Sequence, residues 1–87
     1  MHLRRKRRNN LIQRDFTRAI DVVFHNEDLV VSLADGRTIH VPLTWFPLLQ
    51  NASNKSRENW RFIGDGQGIH WPDIDEDIQI TTLMRLE

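Results

Sequence analysis

From Ala19 to Val41 the apolar side chains fall on alternate residues, interrupted twice by turn formers. Ile20, Val22 and Phe24 share one parity, followed by Leu29, Val31 and Leu33, then Ile39 and Val41. Alternation of this period sends one side of an extended chain to a core and the other to water, which a helix cannot do. The segment therefore predicts a three-stranded antiparallel meander. Its register follows, because residues facing each other across a hairpin share one sheet face. A four-residue loop, His25-Asn26-Glu27-Asp28, sets Phe24 against Leu29, Val22 against Val31 and Ile20 against Leu33. At the second turn a two-residue Asp35-Gly36 loop would oppose Leu33 to Thr38 and mix the faces. A three-residue loop, Ala34-Asp35-Gly36, avoids this. With Gly36 in the left-handed bulge position, it pairs Val31 with Ile39 and Leu29 with Val41.

The remainder has shorter signals. Thr44 is expected to cap a short helix through Trp45, Phe46, Leu48 and Leu49, with Pro47 in its first turn, where a missing N–H costs little. Ser53 is expected to cap a second helix ending near Asn59 or Trp60. Arg61-Phe62-Ile63 and Ile69-His70-Trp71 form a strand pair around Gly64-Asp65-Gly66-Gln67-Gly68, and Pro72 stops it. Asp77-Ile78-Gln79-Ile80 can add a last short strand. Thr81 or Thr82 then caps a terminal helical turn carrying Leu83, Met84 and Leu86. Together these elements predict an α+β fold. A small antiparallel β-meander of three strands, plus a short C-terminal strand pair, packs against two or three short helices.

With 87 residues and no cysteine, burial must hold this fold together, since neither disulfides nor a thiolate zinc site is available. The formal charge of zero conceals a split. Residues 1–18 carry seven Lys/Arg against Asp15, a balance of +6, while residues 19–87 carry five against eleven Asp/Glu, a balance of −6. Like charge, Asn9-Asn10 and the lack of a sustained apolar period mark residues 1–15 as a basic, disordered arm. The domain is expected to span residues 16–87, with its boundary near Phe16. No apolar run suits a signal peptide or membrane span, so a cytoplasmic protein is expected.

The richest candidate chemistry lies at Gly68-Ile69-His70-Trp71-Pro72-Asp73-Ile74-Asp75-Glu76-Asp77. Alternating Asp73, Asp75 and Asp77 resemble the start of a calcium loop. Such a loop needs a turning glycine and a bidentate glutamate where Ile78 and Met84 stand. His70 with these carboxylates leaves a looser cation site, outweighed by an acidic turn with Ile74 and Ile78 facing inward. The glycine-rich loop precedes a strand rather than a helix, so it is a turn and not a phosphate cradle. Trp45, Trp60 and Trp71 are expected in the core. No nucleophile accompanies His70, which points to a non-catalytic protein with no metal and no cofactor.

One chain of motifs is specific. Asp35-Gly36-Arg37-Thr38-Ile39, Val41-Pro42-Leu43-Thr44-Trp45-Phe46-Pro47, Asn51-Ala52-Ser53, Asn59-Trp60-Arg61 and Gly68 through Ile78 follow one another. Together they resemble the bacterial "domain of unknown function 2442" family from about Ile20 to Leu86. The resemblance implies a small cytoplasmic α+β protein of bacterial or phage origin without known catalytic activity. Similar proteins are often encoded beside another small protein, as in a toxin–antitoxin pair. Ser53-Asn54-Lys55-Ser56 departs from the Pro-Glu helix start usual there, which predicts a weaker second helix. The expected function is a protein-binding or regulatory module, antitoxin-like, whose partner is a toxin-like neighbour. His70, Asp73, Asp75, Glu76 and Asp77 are the expected contact residues. The alternative is a nucleic-acid-associated regulator using Arg4, Arg5, Lys6, Arg7 and Arg8, whose binding would weaken steeply with salt. Strand edges also favour homo-oligomer formation.

Overall fold

The computed structural model describes residues 17–86, so the arm with Arg4 to Arg8 lies outside the described residues. Strands β1 (Ala19–His25), β2 (Asp28–Leu33) and β3 (Thr38–Pro42) form an antiparallel sheet in that order. Phe24 pairs with Leu29, Val22 with Val31, Val31 with Ile39 and Leu29 with Val41, the register set by the apolar pattern. Gly36 takes φ +96°, and its N–H donates to the Leu33 carbonyl at 3.1 Å, which closes the three-residue turn. Asp35 secures that turn by accepting from the Arg37 amide at 2.9 Å and from Arg37 Nε at 2.7 Å. The amide bond leads in holding its carboxyl below the usual aspartate range.

Three expectations about this first half are corrected. His25 pairs with Asp28, so the first turn is only Asn26-Glu27, with Asn26 at φ 56°. A bulge between Ala19 and Asp21 gives Leu33 to Ala19 as its partner and turns Ile20 outward, 51% exposed. Thr44 caps nothing: Leu43–Trp45 is a 3-10 turn, and helix α1 (Pro47–Gln50) begins separately with Pro47 at its start. The ring that blocks an amide suits a helix start better than a position further in.

Helix α2 (Asn54–Glu58) is capped as expected, Ser53 Oγ accepting from the Ser56 amide at 3.1 Å. Strands β4 (Arg61–Ile63), β5 (Gly68–Trp71) and β6 (Glu76–Gln79) form a second antiparallel sheet, so the expected strand pair is completed by a third strand. Helix α3 (Ile80–Leu86) follows directly, one residue before the expected threonine caps. The Gln67 carbonyl receives its first amide, Ile80, at 2.9 Å.

The inner sides of both sheets share one core. Val22, Leu29, Val31 and Ile39 meet Ile69, Trp71 and Ile78, and Leu43, Leu49, Ile80 and Leu83 complete the cluster. Phe24 meets Trp71 edge-on, with ring centroids 6.3 Å apart, and so joins the sheets directly. At the opposite end the Ala19 amide donates to the Gly66 carbonyl at 2.7 Å. A β-carbon on Gly66 would lie 2.3 Å from the Ala19 oxygen, so only glycine permits this approach. The glycine-rich loop is therefore a junction between sheets as well as a turn.

Candidate functional site

Alternation along β5 and β6 decides where the candidate residues go. Ile69 and Trp71 face the core, which sends His70 outward, and His70 pairs with Asp77 across the strands. His70 Nδ1 contacts Asp77 Oδ1 directly, on the exposed side. Arg61 is the register partner of His70 on its other flank. Arg61, His70 and Asp77 thus form one row across the outer face of the second sheet.

The remaining carboxylates diverge from that row. Glu76 pairs with Trp71, shares its inward parity and is half-buried. Desolvation pushes its carboxyl above the ordinary glutamate range, and the charges of Asp77 and Asp75 add to the shift. Asp75 sits in the β5–β6 turn at φ 54°. Asp73 is turned toward α2, where its two oxygens accept from Ser56 Oγ at 3.2 Å and Asn59 Nδ2 at 3.1 Å. The structure therefore joins His70 to Asp77 and separates both from Asp73. Among the described residues no group of three or more His, Asp or Glu is placed to hold a metal ion.

Two features carried no clear sequence signal. Arg57 donates from Nε to the Leu49 carbonyl at 2.9 Å and from Nη2 to the Gln50 carbonyl at 2.7 Å, satisfying the end of α1. Its guanidinium also lies 5.9 Å from the Phe24 ring centroid, and its own carbonyl accepts from Trp71 Nε1 at 2.9 Å. The second feature corrects an expectation. Trp71 is fully buried and Trp60 packs against Phe62, but Trp45 stays 48% exposed, with Leu48 three residues on at 53%. The 3-10 turn and the break before Pro47 leave both outside the core. A cleft of about 630 Å³ also opens at the junction of the sheets, lined by Arg18, Ile20, Phe62 and Asp65 among others.

The family model for proteins of unknown function (DUF2442) matches residues 19–87. The chain belongs to that family. Two solved structures resemble it. A protein of unknown function from Rhodospirillum rubrum is 27% identical with a TM-score of 0.68, over 78% of this chain and 84% of that one. An uncharacterized protein from Chromobacterium violaceum, solved by solution NMR, is 16% identical with a TM-score of 0.71, over 98% of this chain and 85% of that one. The second likeness concerns the fold alone. No curated protein matches the chain. No helix among the described residues is long and apolar enough to cross a membrane.

Proposed function

We propose that this DUF2442 protein is a non-catalytic, cytoplasmic protein-binding module that regulates a basic partner, as the antitoxin-like member of a two-gene pair. The observation that carries this reading is the exposure of Trp45 and Leu48 on adjacent turns. A half-exposed tryptophan beside a leucine is costly to leave in water and is the residue chemistry that anchors protein interfaces. The −6 balance of residues 19–87 selects a basic partner. The acidic turn adds to this, because a cationic side chain beside Asp75 and Asp77 would relieve the repulsion felt by Glu76.

The test is co-purification with the product of the adjacent gene, followed by titration of that product against a Trp45→Ser/Leu48→Ser variant. A stable complex is expected, weakened about 30-fold or more in the variant. Absence of a complex, or equal affinity for both proteins, would count decisively against the reading. Since neither side chain is in the core, the variant should keep its circular dichroism spectrum.

A further inference from the structure

The cleft between the sheets is built from a residue that breaks the pattern of its own strand. Alternation places Ile20 in the core, yet the bulge gives that place to Ala19 and turns Ile20 into the cleft. Bulges that re-aim a side chain are common beside binding sites. Phe62 provides a second apolar wall, and Gly64 lies between it and Asp65. Arg18 and Asp65 supply opposite charges, and neither makes an ion pair or a side-chain hydrogen bond among the described residues. The strands contributing the walls, β1 and β4, are both edge strands. A volume near 630 Å³ falls within the usual range for ligand sites.

We propose that this cleft is a docking groove for one extended peptide segment of a partner protein. The segment carries an apolar residue between an acidic and a basic one. Edge strands on both sides suit an extended backbone. The apolar side chain packs between Ile20 and Phe62, while the flanking charges meet Arg18 and Asp65. The inference rests on the protein-binding reading and adds a second contact surface to it.

The test uses the full isotope-labelled chain, titrated by NMR with the capped peptide Glu-Val-Ile-Val-Lys. Saturable shifts are expected at the amides of Ile20, Gly64, Asp65 and Gly66, and a peptide with serine at the three apolar positions should give none. Asp65→Lys makes both charged ends positive, so preference should move about fivefold toward Glu-Val-Ile-Val-Glu, whichever way the peptide runs. Missing shifts, shifts centred elsewhere, or an unchanged preference in Asp65→Lys would overturn the groove. The Trp45→Ser/Leu48→Ser protein should still bind the peptide. A Trp45-dependent complex with no peptide shifts would therefore defeat the groove alone, and the opposite result would defeat the Trp45 surface alone.

Discussion

The two sheets have the same strand count and reach their registers by different means. The first has strands of seven, six and five residues, whose alternation admits one register from Val22 onward. A slip by one residue would expose Leu29, Val31 and Leu33 together. The second has strands of three, four and four residues, too short for alternation to exclude alternatives. Its order comes from contacts made elsewhere in the chain. Trp71 bonds to the Arg57 carbonyl, Asp73 to Ser56 and Asn59, and Gly66 to Ala19. A long strand carries its own register, whereas a short one borrows it.

Trp71→Ala should break the borrowed register most severely. It opens a large cavity at a fully buried position, leaves the Arg57 carbonyl without its donor and removes the Phe24 contact. A loss of about 3–5 kcal/mol is expected in chemical denaturation, enough to leave a domain of this size largely unfolded. Smaller and more discriminating is the pair Gly36→Ala and Gly66→Ala. Both glycines have φ near +100°, but a β-carbon at Gly36 meets nothing within 4 Å, whereas at Gly66 it strikes the Ala19 backbone. Gly36→Ala should cost about 1 kcal/mol from backbone strain, and Gly66→Ala about 2–3 kcal/mol. Equal losses in thermal melts would show that the junction does not hold the sheets together.

The smallest expected effect is that of Glu76→Gln. Because burial and then Asp77 and Asp75 raise the Glu76 carboxyl in the fold, the native state holds this proton to higher pH than the unfolded chain. Stability attributable to Glu76 therefore falls as pH rises from the ordinary glutamate value through the raised one. The glutamine variant should be more stable at neutral pH, by less than about 1 kcal/mol for so accessible a group. That advantage should vanish as pH drops below the ordinary glutamate range. A constant difference across pH would assign the effect to packing.

Within the candidate site, the outward turn of His70 was legible, since β5 parity sends it away from Ile69 and Trp71, but its pairing with Asp77 came only with the register of β6. The scatter of the other carboxylates was not. Glu76 and Asp77 are neighbours in sequence and lie on opposite faces once β6 joins the sheet, while Asp73 is drawn to α2. Arg57 had no signal at all, because its bonds to Leu49 and Gln50 exist only after two helices have folded against each other.

What the residues determined by themselves is local or periodic: the register of the first sheet, the left-handed turn at Gly36, the Ser53 cap, and Ile69 and Trp71 as core anchors. Each depends on alternation or on groups within a few residues, so the chain states it directly. Tertiary structure alone decided that Ile20 yields its core place to Ala19, that Trp45 stays outside, and that Gly66 receives the start of β1. Those outcomes depend on which distant segments compete for limited core space and unpaired backbone groups. Neighbouring residues cannot specify that competition, because it arises only when the two sheets close on each other.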